Sequence, residues 1–149
     1  MDIFIDTSSL VKYYYPETDS NDVERVILAA KRLYLCELSL VEFASALMKK
    51  VRMNELQEQE QQLIWEAFLS DTQAENVELL DLAQDDFRIA SDLILRYGKT
   101  RNLRTLDSLQ LAAALKVPDA DFLSSDKELL VVAEEVGLKP KLTQDISGG

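Results

Sequence analysis

Short apolar runs alternate with longer segments of helical period along this chain, and that alternation constrains the fold more than any other feature. "DIFID", "LYLCEL", "VELLDL", "ADFLSSD" and the edge-like "KPKLT" read as strands. Between them, "SLVKYYY", "SNDVERVILAAKR", "SLVEFASALMKKVR", "NELQEQEQQLIWEAFLSD", "DDFRIASDLILRYG", "TLDSLQLAAALKV" and "KELLVVAEEVG" read as helices. Strands separated by helices predict a parallel sheet covered on both faces. In such sheets ligands sit outside the carboxyl ends of the strands. Side chains at those ends therefore carry the functional reading.

The element boundaries have their own signals. Pro16 is expected to stop the first helix. Gly98 and Gly137 are expected to stop two later ones. Asn54 is the expected cap of a helix joined almost directly to the one before it, so residues 38–70 should form a helical hairpin. "SLVE" and "SDKE" have the form of capping boxes, with Ser39 and Ser125 as caps and Glu42 and Glu128 three residues on. "ISGG" reads as a loose tail.

With 149 residues and 47% apolar side chains, the chain is expected to fold as one domain, residues 1–149. No apolar run approaches the roughly 20 residues that span a bilayer. The first residues lack the basic stretch and cleavage site of a secretory signal. The single cysteine, Cys36, forbids an internal disulfide and fits a reducing compartment. A cytoplasmic protein is expected, with no membrane partner.

The sequence contains no histidine. That excludes Ser-His-Asp and Cys-His catalysis and the usual zinc sites. Acid–base or metal chemistry must then rest on carboxylates, which suit hard cations such as Mg²⁺ or Mn²⁺. Four acids fall at element junctions. Asp6 ends the first strand, Glu42 follows the second, Asp107 stands at the start of the "TLDSLQLAAALKV" helix, and Asp126 follows "FLSS". Capping accounts for each acid separately. It gives no reason for all four to meet. If they converge, mutual repulsion favours either a proton or a divalent cation among them, and a cation lowers the pKa of bound water.

The motifs "MDIFIDTSSLVKYYYPE", "LSLVEFASAL", "LRTLDSLQLAAAL" and "FLSSDKELLVVAEEVGL" together resemble a PIN-domain ribonuclease, and most closely the VapC-type toxins of VapBC toxin–antitoxin pairs. The resemblance spans nearly the whole chain, with the motifs in the family's order. It implies a three-layer α/β/α sandwich around a parallel sheet. It also implies Mg²⁺- or Mn²⁺-dependent hydrolysis of RNA, with Asp6, Glu42, Asp107 and Asp126 as the metal-binding and catalytic residues. Asp6 and Asp107 would be the main ligands, Asp126 would complete the shell, and Glu42 would orient or deprotonate the attacking water. Ser8, Ser9, Ser124 and Ser125 are candidates to bond these acids. The resemblance further implies an antitoxin partner and pairing into homodimers. The sequence departs from its relatives at Gln110, where many carry a histidine.

The formal net charge of −11 opposes an RNA partner, because phosphates repel an acidic surface. A local basic rim can bind phosphates while the far surface stays acidic. Its candidates are Lys12, Lys49, Lys50, Arg52, Lys99, Arg101 and Arg104, with Tyr13, Tyr14 and Tyr15 as candidate base-stacking side chains. Trp65 and Phe68 are candidate anchors for a partner protein. Three alternatives stand beside the toxin. They are a solitary PIN nuclease, a PIN-like binding module without catalysis, and a phosphatase using Asp6 as nucleophile. The last generally needs an acid two residues on, and that position is Ser8.

Overall fold

In the computed structural model, which describes residues 1–15 and 20–142, the apolar runs become five short parallel strands. β1 (Asp2–Ile5) lies at the centre, between β2 (Arg32–Cys36) and β4 (Asp121–Ser124). β3 (Val77–Leu80) flanks β2 and β5 (Lys139–Leu142) flanks β4, giving the order β3-β2-β1-β4-β5. Pro140 and its neighbours thus sit on an edge strand, where a missing N–H is tolerated.

The two-residue period of the strands sorts the core into two layers. Ile3, Ile5, Leu33, Leu35 and Leu123 face α1 (Thr7–Tyr14), α2 (Ser20–Ala29), α3 (Leu38–Arg52) and α4 (Glu58–Asp71). Phe4, Cys36, Leu80 and Phe122 face α5 (Gln84–Tyr97), α6 (Thr105–Ala114) and α7 (Lys127–Glu135). The register sets Phe4 opposite Phe122, and their rings stack with centroids 5.4 Å apart. Each such buried side chain contributes about 1.5–3 kcal/mol of hydrophobic stabilisation. The result is the α/β/α sandwich implied by the motifs.

The chain runs β1 to β2 to β3 in one direction, then crosses back past β1 to reach β4 and β5. The reversal leaves a crevice at the carboxyl ends of β1 and β4. Open α/β sheets place their ligands at such a switch point.

Several local details differ from the sequence reading. α4 begins at Glu58 with Gln57 in the cap position. Asn54 instead takes a left-handed conformation, φ 58°, in the turn after α3, a role that its short polar side chain tolerates. α3 begins at Leu38 with Glu37 in the cap position, so Ser39 is inside the helix and the proposed box does not form. α7 is capped by Asp126, not Ser125. Gly98 follows α5 in a right-handed conformation, φ −63°. Its need is space, since a Cβ there would meet Ile94 O at 2.5 Å. Gly137 does take the left-handed form, φ 96°, after α7.

The hairpin of α3 and α4 buries its aromatics. Phe68 packs edge-on against Phe43 and is 1% exposed, so it is a core residue and not a partner anchor. Trp65 is half-buried on the same cluster. Tyr14 and Tyr15 pack into this layer as well, and Tyr13 lies edge-on to Tyr14. Pro16 and the "ISGG" tail lie outside the described residues. No helix among the described residues is long and apolar enough to cross a membrane.

Candidate active site

Asp6 is carried to the crevice by β1. Its N–H bonds Leu123 O, and the chain then turns into α1, where the Asp6 side chain is the N-cap. Oδ1 accepts from Ser9 N–H at 3.0 Å and from Ser8 Oγ at 2.9 Å. Oδ2 accepts from Ser124 Oγ at 2.6 Å. The residue is only 4% exposed. Burial pushes its carboxyl above the ordinary value, and the bonds from Ser124, Ser9 and Ser8 oppose that rise without cancelling it. The fold thus holds a carboxylate where a negative charge is costly.

Asp126 arrives two residues after β4. Its N–H donates to the same Ser124 Oγ at 3.0 Å. Its Oδ1 accepts from Glu128 N–H at 3.0 Å and Leu129 N–H at 3.2 Å, capping α7. Asp107 sits in the first turn of α6, where Oδ2 reaches back to the N–H of Arg104 at 3.2 Å. The Arg104 guanidinium lies near the same oxygen, with Nε at 3.6 Å. Glu42 comes from α3. Its Oε1 accepts from Thr7 Oγ1 at 2.8 Å and from Gln110 Nε2 at 2.7 Å.

Asp6, Glu42, Asp107 and Asp126 all line one cleft of about 140 Å³, together with Thr7, Ser8, Arg104, Gln110 and Leu129. Three of the four acids also serve helix N-termini, so capping and convergence hold at once. Thr7 and Gln110 also line the site, although neither was a candidate site residue from the sequence. Their signals were faint. Thr7 directly follows Asp6, and Gln110, where many relatives carry a histidine, is the lone polar residue within "LQLAAA".

The basic candidates divide. Arg104 is the only cation lining the cleft among the described residues. Arg101 pairs with Glu135 at 3.0 Å, and Lys50 lies over the Tyr15 ring. None of Tyr13, Tyr14 and Tyr15 lines the cleft. Tyr13 and Tyr14 instead border an apolar cavity of about 210 Å³ between α1, α2 and α4, which shares no wall residue with the cleft. Cys36 is buried in the sheet, and burial pushes its thiol up to about 11, so it offers no nucleophile.

The donors facing the cleft are all oxygens, the set preferred by a hard divalent cation. Asp6 supplies a buried charge that a cation would relieve, which fits such an ion. The spacing is open, however. Among the described residues no three His, Cys, Asp or Glu side chains are gathered into a ready-made metal cage. The Asp6, Asp107 and Asp126 bonds to N–H and hydroxyl groups hold the acids in that spread arrangement.

Comparison with known proteins agrees with this architecture. VapBC2 from Rickettsia felis, solved bound to a DNA fragment from its promoter, superposes with a TM-score of 0.68 at 17% identity, covering 95% of this chain and 98% of that one. FitAcB from Neisseria gonorrhoeae gives 0.70 at 13% identity, covering 97% and 99%. Mycobacterium tuberculosis VapC20, a toxin that cleaves the sarcin–ricin loop, gives 0.69 at 14% identity, covering 91% and 95%. At these identities the likeness speaks for the fold. No curated protein sequence matches the chain significantly. The sequence model of the PIN domain matches residues 3–135, from the first strand to the last helix. With its motifs in order, its sheet reversed at β1 and β4, and its acids at that reversal, the chain belongs to the PIN domain family.

Proposed function

We propose that residues 1–149 act as one metal-dependent endoribonuclease domain that hydrolyses RNA phosphodiester bonds, the toxin of a toxin–antitoxin pair. The observation that carries this reading is the convergence of Asp6, Glu42, Asp107 and Asp126 on one cleft at the sheet's switch point. Asp6, Asp107 and Asp126 would hold Mg²⁺ or Mn²⁺. When bound, such an ion supplies Lewis-acid polarisation of the phosphate and a more acidic water. Glu42 would take the proton of the attacking water. Arg104, at the rim, would meet a phosphate oxygen. VapBC2, FitAcB and VapC20 support the toxin reading and the antitoxin partner.

One observation favours a second reading. The spread carboxylates would suit a PIN-like binding module that lacks catalysis. Cleavage of structured and single-stranded RNAs with Mg²⁺, Mn²⁺ or chelator separates the two. The nuclease reading expects metal-dependent cleavage that falls by about a hundredfold or more in Asp6→Asn and Asp107→Asn. Cleavage that survives chelation, or survives both substitutions, would remove it.

A further inference from the structure

The two oxygens of the Glu42 carboxylate are in different situations. Oε1 accepts from Thr7 Oγ1 at 2.8 Å and from Gln110 Nε2 at 2.7 Å. Oε2 has no hydrogen-bond partner among the described residues, and the half-buried side chain lines the cleft. Counting hydrogens explains the arrangement. The Thr7 hydroxyl has one proton, and Glu42 receives it. The 2.9 Å contact between Thr7 Oγ1 and Ser39 Oγ must then be donated by Ser39. With both hydroxyl protons placed, Thr7 and Ser39 present only lone pairs to Gln110. Its second N–H is shared between Thr7 Oγ1 at 3.2 Å and Ser39 Oγ at 3.1 Å.

The orientation of the Gln110 amide is fixed by the same count. Flipped, its oxygen would face the carboxylate of Glu42. As placed, Oε1 of Gln110 is buried with no partner, in a side chain only 3% exposed. A buried acceptor without a donor is costly. Packing alone would be better served by leucine, which suits the apolar neighbours on α6. The amide's cost is offset only through what its N–H groups hold.

We propose that Gln110 is a positioning residue. It clamps Glu42 Oε1 from α6 while Thr7 clamps it from α1, and Oε2 is thereby presented to the attacking water. This rests on the nuclease reading above. Gln110 touches neither substrate nor water in this account and acts through Glu42.

The test compares wild type, Gln110→Leu and Gln110→His in two ways. Metal-free crystal structures report the Glu42 rotamer, and RNA cleavage with Mn²⁺ reports kcat and KM. In Gln110→Leu, Glu42 is expected to spread over more than one rotamer. Its kcat is expected to fall by about ten- to a hundredfold, with KM within about twofold of wild type. Gln110→His keeps an N–H donor, so a single rotamer and a kcat within about fivefold are expected. A Gln110→Leu protein with wild-type kcat, or with Glu42 in its wild-type rotamer, overturns the proposal. So does a Gln110→His protein as impaired as Gln110→Leu, because side-chain bulk and not the donor would then set Glu42. If wild type itself shows no metal-dependent cleavage, the nuclease reading fails, and the metal-free rotamers still decide the clamp.

Discussion

Ser124 Oγ donates to Asp6 Oδ2 at 2.6 Å across a sequence separation of 118 residues, and the same oxygen accepts the N–H of Asp126 at 3.0 Å. One hydroxyl therefore ties together the carboxyl ends of β1 and β4. Ser124 is fully buried, so water cannot replace it. Ser124→Ala leaves Asp6 without its shortest donor and the Asp126 N–H unpaired. A loss of about 1–3 kcal/mol in urea unfolding is expected. The Asp6 carboxyl should also move further up, because the bond that most opposes its desolvation is gone. A variant as stable as wild type would show that the hydroxyl holds nothing together.

Asp6 links this geometry to pH. Its carboxyl lies above the ordinary value because burial outweighs the bonds from Ser124, Ser9 and Ser8. An unfolded aspartate titrates at about 3.9. Between that value and its raised folded value, the native state binds the proton more tightly than the unfolded state. Metal-free stability therefore falls as pH rises through this window. On the proposed nuclease reading, a divalent cation would replace the proton and reverse the trend. Mn²⁺ at a hundred times its Kd adds about 2.7 kcal/mol. Calorimetry should show a Tm increase with Mn²⁺ at neutral pH that shrinks as the solution is acidified into the window. Asp6→Asn should remove both the metal-free slope and most of the Mn²⁺ effect.

The fold was legible because the central strands alternate as a sheet buried on both faces requires. Ile3 and Ile5 face one layer while Phe4 faces the other, and Leu33 and Leu35 alternate with Cys36 in the same way. The placement of Asp6 was legible for a related reason, since a carboxylate closing an apolar strand stands out. Other parts were hidden. Gln110 sits among buried alanines and leucines, and no local pattern marks which oxygens its amide will meet across 68 and 103 residues. Ser39 followed by Glu42 has the spacing of a capping box, yet the helix starts at Leu38. The serine is instead spent on Thr7. Tertiary demand on those side chains overrode a local signal.

The Lys116–Asp86 pair was equally invisible from sequence. Lys116 Nζ lies 2.6 Å from Asp86 Oδ2 and 2.5 Å from the Asp81 carbonyl oxygen, joining the end of α6 to the start of α5. Asp86 is 4% exposed and also accepts the Ala83 N–H at 2.7 Å. Burial raises its carboxyl, but Lys116 and the Ala83 N–H outweigh that and hold it below the ordinary range. The pair's contribution is thus present above about pH 4, the unfolded aspartate value, and is lost as pH falls through the lower folded value. Lys116→Met strands a buried carboxylate. A destabilisation of about 3 kcal/mol is expected, the low end for a broken buried pair because Lys116 is partly in water. The acid limb of the pH–stability curve should flatten with it. Asp86 and Lys116 do not line the cleft, so kcat per folded molecule should stay at its wild-type value.

Arg104 poses the opposite case, a residue proposed to act in binding and expected to add little to stability. Its side chain is 75% exposed, and its Nε is 3.6 Å from an Asp107 oxygen that already accepts the Arg104 N–H. An ion pair of that exposure contributes little to folding. Its value lies in its position, as the one cation bordering the cleft among the described residues of a chain with a net charge of −11. On the proposed reading, an incoming phosphate would have to overcome the field of four carboxylates, and this guanidinium lines the same cleft. Arg104→Gln should leave the urea midpoint unchanged and raise KM for RNA. Each phosphate contact to a single strand contributes about 0.7 to the slope of log K against log salt. The variant's slope should therefore be shallower than wild type by about that amount. An unchanged slope with an unchanged KM would mean that the phosphate is met elsewhere, and that Arg104 serves only Asp107.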